Sequence, residues 1–180
     1  MIDLAGLSKP MTGERCRAEL FSERVRQPLK RACAEDPEIW EIYANNFGSG
    51  GFDKSIDNYV AGPNNRTFVL FEGEKLAGMS SFLGIDPARQ LLEIGGTYLR
   101  PKLRGTGLNR RVKEMMLRRA FDCGMRRVEF RVDRRNARSQ AAMKKLGAVR
   151  EGVIRADRIT WTGHVRDTVL FAILKDEWPV

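Results

Sequence analysis

Between Gly107 and Asp122 apolar residues fall at helical spacing: Leu108, Val112, Met115, Met116 and Ala120 share one face, with arginines and lysines on the other. The period then shortens, and RRVEFRVDR (126–134) alternates as a strand. NARSQAAMKKLG (136–147) returns to a helix, with Asn136 a natural N-cap and Gly147 at the C-terminal stop. Two more strands follow, AVREGVIRAD (148–157) and VRDTVLFAILK (165–175), joined through RITWTGH. Upstream, RTFVLFEG (66–73), KLAGMSSFLGI (75–85) and QLLEIGGTYLR (90–100) are strand-like. Their links, Glu72-Gly73-Glu74 and DPARQ, are short, which makes these neighbours antiparallel. Nearer the start, GERCRAEL (13–20) reads as a first strand. SERVRQPLKRACAEDPEIWEIYANN (22–46) reads as mostly helical, capped by Ser22 and interrupted around Asp36-Pro37, where Asp36 caps a second short helix. NNFGSGG (45–51) is a loop, and DKSIDNYVAG (53–62) a short helix ended by Gly62.

The order is strand, helices, antiparallel meander, helix, strand, helix, strand, strand, without an internal repeat or a linker. Residues 1–180 therefore read as a single domain, long enough to bury a core. No apolar run approaches the roughly 18 residues of a membrane helix, and Met-Ile-Asp-Leu-Ala-Gly-Leu has no basic segment of the secretory kind. Cys16, Cys33 and Cys123 are odd in number and widely spaced, matching neither a disulfide framework nor a zinc pattern. With His164 the single histidine, no metal site is expected. A cytoplasmic location is the expectation.

Charge changes this picture. The net charge is +9, but residues 100–150 hold 17 Lys/Arg against four acids, a local +13 that leaves about −4 for the remainder. Such asymmetry points to an acidic ligand, nucleic acid or an acidic surface, against the plainer reading of a solvated basic face.

RGTGLN (104–109) lies inside that region, where a strand hands over to a helix. Three readings compete. Glycine can simply relieve a helix-entry turn. Gly105-Thr106-Gly107 with Glu129 downstream partly matches a dinucleotide fingerprint, but Arg110 stands at its third glycine and the preceding strands are hairpin-linked. The third reading is a diphosphate cradle: small residues let the backbone approach, first-turn N–H groups point at the anion, and Arg104, Arg110 and Arg111 add charge.

RGTGLN also fits the Arg/Gln-x-x-Gly-x-Gly/Ala acyl-CoA motif of the GNAT superfamily of N-acetyltransferases, except that Asn109 stands at its last, small position. LEIGGTYLRPKLRGTGLN as a whole resembles the ribosomal-protein N-terminal acetyltransferase branch, as do NARSQAAMKKLGAVREG, VRDTVLFAILKDEWP and, more loosely, DPEIW. The resemblance implies an α+β fold, a mixed, mostly antiparallel twisted sheet of six to seven strands flanked by about four helices. It also implies acetyl-CoA as co-substrate, lying between two splayed strands. Gly95-Gly96 supplies a local reason for the splay, since glycine inside a strand suits a bulge. Backbone groups of Thr97, Tyr98 and Leu99 would pair with the pantetheine arm, and Arg104, Gly105, Thr106, Gly107, Leu108 and Asn109 would hold the pyrophosphate. By resemblance Asn136 bonds the arm and Ser139 sits near the thioester sulfur, although each also suits a plain helix start. Arg134, Arg135 and Arg138 either approach the adenosine phosphates or are solvated.

The reaction implied is attack of a neutral primary amine on the thioester. The usual tyrosine acid of the superfamily aligns with Met143, which leaves Ser139, directly or through water, as the substitute. Glu93 is the candidate base, weighed against an outer-face carboxylate, and Tyr98 a candidate for lining the acceptor site. His164 reads as a loop residue and Cys123, at a helix end, as unactivated. The leading expectation is thus an acetyl-CoA-dependent N-acetyltransferase acting on a protein N-terminus or a small amine, and a cationic amine would be drawn in if the acidic part of the chain faces the acceptor. Its rivals are a nucleic-acid or ribosome-associated binding protein, which lacks stacking aromatics in 100–150, and a non-catalytic acyl-CoA sensor. Many relatives pair through their sheets, so a homodimer is also among the expectations.

Overall fold

A computed structural model describes residues 2–178. Eight strands form one sheet: β1 (Met11–Gly13), β2 (Cys16–Leu20), β3 (Arg66–Glu72), β4 (Lys75–Asp86), β5 (Leu91–Leu99), β6 (Arg127–Asp133), β7 (Val149–Ile159) and β8 (Val165–Leu174), in the order β1-β2-β3-β4-β5-β6-β8-β7. Four α-helices accompany it: α1 (Glu23–Cys33), α2 (Phe52–Ala61), α3 (Leu108–Asp122) and α4 (Ala137–Leu146). Eight strands exceed the six to seven expected, and one reason is local. The segment 13–20 is the end of a hairpin, because Glu14-Arg15 turns the chain back so that Met11 pairs with Ala18. Arg15 takes the positive φ of 55° that this turn requires.

The helical segment 22–46 is divided where Asp36-Pro37 predicts. α1 stops at Cys33, and a 3₁₀ turn at Glu38–Ile42 follows, with Asp36 Oδ1 accepting from the Ile39 N–H at 3.3 Å. Ser22 occupies the N-cap position, but its hydroxyl makes no capping bond.

The central strands are apolar on both sides because both faces are covered. Phe68 and Leu70 of β3 enter one core with Leu108, Val112 and Met116 of α3, while Val69 between them packs with Leu29, Trp40 and Phe52. Alternation along one strand thus places α3 and α4 on one face of the sheet and α1 and α2 on the other.

Two irregularities position the site. β5 and β6 are the parallel neighbours, and their pairing ends at Glu93↔Glu129, although both strands continue. On its other side β5 bulges: Met79↔Tyr98 and Ser81↔Gly95 span two steps on β4 but three on β5. Gly96, in the bulge, has φ +57°. A Cβ there would meet Tyr59 Cε1 at 2.7 Å. Gly96→Val is therefore expected to destabilise the fold by about 2–3 kcal/mol, as backbone strain and a clash against a packed ring combine. Chemical denaturation checks this; an unchanged midpoint would mean the bulge does not depend on glycine.

Candidate active site

Once β5 and β6 part, a cavity of about 620 Å³ opens between them, bounded by the start of α3, one side of α4 and the 43–47 loop. One wall is the unpaired edge of β5. Arg100 N donates to Ala77 O, and strand alternation then turns Tyr98 to β4 and the backbone groups of Thr97 and Leu99 to the gap. Their carbonyls confirm this direction, since Thr97 O accepts from the Tyr43 hydroxyl at 2.6 Å and Leu99 O from Arg104 Nε at 2.8 Å. The N–H groups of Thr97 and Leu99 are left facing the gap without a ladder partner. An extended ligand with amide groups can pair there; Tyr98, expected among the pairing residues, offers its backbone to β4 instead.

At the far end of that edge lies the glycine turn. Gly105 and Gly107 have φ of +79° and +84°, the left-handed region in which both are needed. Arg110 and Arg111 N–H both donate back to Gly107 O, and Leu108 N is taken up by Thr106 Oγ1 at 3.4 Å. Among the described residues, the N–H groups of Gly105, Thr106, Gly107 and Asn109 find no acceptor. These unpartnered donors at a helix mouth fit a diphosphate. Leu108 contributes differently from the expectation: its side chain is fully buried and anchors the turn in the core.

The arginine side chains also depart from expectation. Arg104 turns inward to Asp36 and lies 5.4 Å from the Tyr98 ring centroid, Arg110 pairs with Glu114 at 2.7 Å, and Arg111 pairs with Glu72 at 2.9 Å. Folding brings acids of the remainder, Asp36 and Glu72, onto Arg104 and Arg111. Arg104 Nη2 nevertheless stays buried without an acceptor at the cavity wall. Arg134 and Arg135 are paired with Asp167 and Asp133. Arg138 and Lys145 of α4 line the cavity and have no carboxylate partner among the described residues.

Across the gap, Asn136 serves both roles open to it. Its Oδ1 caps α4 by accepting from Ser139 N at 2.9 Å, which leaves the Nδ2 donors unpartnered beside the cavity. The Ser139 hydroxyl, one turn before Met143, also lines the cavity without a partner. Met143 is buried against the core, so the position that aligns with the usual acid carries no proton.

Glu93 stands at the fork itself and lines the cavity rather than an outer face. Burial raises its carboxyl pKa above the usual range, partly opposed by Arg158, Arg131 and Arg166. The acceptor end is accordingly not acidic, as the charge division suggests, but mixed. Arg131 pairs with Glu129 at 3.3 Å, Arg158 with Asp157 at 2.9 Å, and buried Arg166 reaches Thr168 Oγ1 at 3.0 Å. The RITWTGH loop meets the 40–44 segment at this end: Trp161 Nε1 donates to Trp40 O at 2.7 Å and Trp161 N to Ala44 O at 3.1 Å.

Tyr98 does not line the acceptor site. It is 1% exposed, stacks on Trp40 and donates its hydroxyl to Ala32 O, because the bulge turns it to the α1 face. The tyrosines that do line the cavity are Tyr43 and Tyr59, whose hydroxyl pKa values are both pushed up to about 12 by burial. Both lie outside the motifs that carry the resemblance, so sequence reasoning passes over them. It passes over Lys113 as well, although the spacing to Met116 and Ala120 puts this lysine beside the apolar stripe of α3. Cys123 is buried and its thiol pKa raised, as expected of an unactivated cysteine. No cluster of three or more metal-ligating side chains occurs among the described residues.

A family model described as the acetyltransferase (GNAT) family matches residues 34–148. Among solved structures, one from T. thermophilus assigned as an acetyltransferase is 32% identical, with 94% of this chain and 91% of that chain covered and a TM-score of 0.86. A GCN5-related N-acetyltransferase from Brucella melitensis is 25% identical over 96% of this chain and 81% of its own, with a TM-score of 0.87. Mycobacterium smegmatis RimJ, in complex with CoA-disulfide, shares the fold at 19% identity, with 97% and 91% covered and a TM-score of 0.83. A search of curated proteins found no match.

Proposed function

Because the chain belongs to the GNAT family of acetyltransferases and its donor is acetyl-CoA, we propose that it transfers the acetyl group to a primary amine, a protein N-terminal α-amine or a small-molecule amine, within one domain spanning residues 1–180. The observation that carries this reading is the position of Glu93, a buried carboxylate at the fork where the donor wall meets the acceptor end. An ammonium ion has no lone pair, so a base must first take its proton, and a carboxylate with a raised pKa is a better match to that task than an ordinary one. The resemblance to the ribosomal-protein N-terminal acetyltransferases favours a peptide terminus.

In this reading the pyrophosphate of acetyl-CoA rests on the N–H groups of Gly105, Thr106, Gly107 and Asn109, with Arg138 and Lys145 nearby. The arm follows the free edge at Thr97 and Leu99, and Asn136 Nδ2 meets it from the opposite side. The thioester then comes to the fork, where the Thr97 N–H can donate to the developing oxyanion and the Ser139 hydroxyl to the sulfur. Ser139→Ala is expected to lower kcat about tenfold, the scale of one neutral hydrogen bond strengthened in the transition state, with donor affinity unchanged. Steady-state kinetics beside calorimetry with acetyl-CoA separates the two; wild-type kcat would remove Ser139 from the site.

The alternative of a nucleic-acid binding protein loses its main support in the pairing of Arg104, Arg110, Arg111, Arg127, Arg134 and Arg135 with carboxylates. Incubation with acetyl-CoA and pooled N-terminal peptides or polyamines, read by mass, tests the acceptor. A gain of one acetyl on either class assigns it, and modification of neither would contradict transfer to a primary amine.

A further inference from the structure

Lys113 lines the cavity, and neither the cradle nor the base uses it. It rises from α3 into the fork between β5 and β6. Its Nζ lies 2.5 Å from Thr97 Oγ1 on one arm of the fork and 5.6 Å from the Phe130 ring centroid on the other. The residue is 4% exposed and lines the cavity. No carboxylate comes within ion-pair distance of it among the described residues. An ammonium has three protons to donate, and Thr97 Oγ1 accepts one of them. A buried cation without a paired anion is costly, and its cost is recovered when a negative charge arrives.

We propose that Lys113 is the proton donor to the departing CoA thiolate, the acid that the chain lacks at Met143. The inference rests on the acetyltransferase reading above. The placement follows from the walls: the arm runs along the Thr97–Leu99 edge toward the fork, and Thr97 carries both the N–H that meets the acyl group and the hydroxyl that holds Lys113 Nζ. As the acceptor nitrogen bonds to the acyl carbon, the C–S bond breaks and its electron pair stays on sulfur. Lys113 gives one proton to that sulfur and becomes a neutral amine, to be reprotonated from solvent. The acceptor's own proton leaves by the separate route through Glu93. Ser139 donates a hydrogen bond, but a serine hydroxyl is too weak an acid to complete the transfer.

The charged surroundings suit this role. Glu93 on β5, and Glu129 and Arg131 on β6, stand at the fork, and Arg158 and Arg166 from β7 and β8 and Arg138 and Lys145 on α4 line the same cavity. Burial nevertheless dominates, lowering the Lys113 pKa to about 7, with Glu93 alone opposing it. A lysine near neutrality gives up its proton readily, and a thiolate beside it draws the ammonium form back.

The test uses the whole protein with free CoA, so that it does not depend on turnover. Lys113→Met keeps the length and removes the charge, and loss of a buried cation should leave the fold intact, which thermal denaturation checks. CoA is bound to wild type and variant, and its thiol is titrated by ultraviolet thiolate absorbance. The expected result is a bound thiol pKa about one unit or more lower in wild type than in Lys113→Met, the effect of an ammonium at contact distance. Lys113→Met should also lower kcat about 100-fold, the usual contribution of a positioned acid, with acetyl-CoA affinity within about threefold. Equal thiol pKa values in two proteins that both bind CoA would overturn the role of Lys113 and leave the acetyltransferase reading standing. Failure of the wild type to bind CoA would overturn the cradle, and this inference with it.

Discussion

Gly107→Asp is expected to abolish acetyl-CoA binding while leaving the chain folded. Gly107 holds φ +84° at the mouth of α3, and aspartate is among the few side chains that visit this region at modest cost. A Cβ at this position meets only Arg111 Nη1, at 3.3 Å, the far end of a flexible side chain. The fold should therefore lose only about 1–2 kcal/mol. Binding should lose far more. The free N–H groups of Gly105, Thr106, Gly107 and Asn109 present the positive end of the helix, and a carboxylate fixed among them competes for the donors and repels a diphosphate. A loss of at least about 100-fold, close to 3 kcal/mol, follows at roughly 1.4 kcal/mol per decade. Calorimetric titration with acetyl-CoA, paired with a thermal melt, reads both quantities. Undiminished affinity in a folded variant would mean that the diphosphate is held elsewhere.

Glu93→Gln should lower kcat by about 100- to 1,000-fold, the range of a lost general base, without weakening acetyl-CoA. Glutamine keeps the shape at the fork but cannot accept the proton. The pH dependence provides an independent check. A base acts only when ionised, and burial raises the pKa of Glu93, so activity should fall on the acid side at a higher pH than an unperturbed carboxylate would give. The direction is fixed by the cause: burial favours the neutral acid, which is the inactive form. In Glu93→Gln this acid limb should disappear from kcat/KM. A wild-type profile that stays flat down to the ordinary carboxylate range would assign the proton transfer to another group.

Chemistry with a local signature is legible before folding. Gly105 and Gly107 are demanded by backbone angles within one turn, and that demand is written into RGTGLN itself. Asn136 three residues before Ser139 reads as an N-cap and is one, while its free amide end can be suspected only by resemblance. Gly95-Gly96 announces the bulge for the same local reason. Conversely, Tyr98 reads as a site residue only if a strand beside a motif keeps its alternation. One extra residue in the bulge turns it to the opposite face, to Trp40 and Ala32. Charge misleads in a similar way. The count of +13 over residues 100–150 is correct, yet Asp36, Glu72 and Asp167 come from distant segments to pair with Arg104, Arg111 and Arg134.

From its sequence alone this protein had its helices, most of its strands, its glycine turn and its family resemblance legible, because periodicity, caps and glycine angles act over a few neighbouring residues. Its tertiary structure decided which cations stay free, which tyrosines face the cavity and where Lys113 comes to rest. Those are meetings of segments separated by tens of residues, at a fork that exists only once two parallel strands have paired for three residues and then parted. Burial and distance set the pKa values of Glu93 and Lys113, and neither quantity is a property of a stretch of chain.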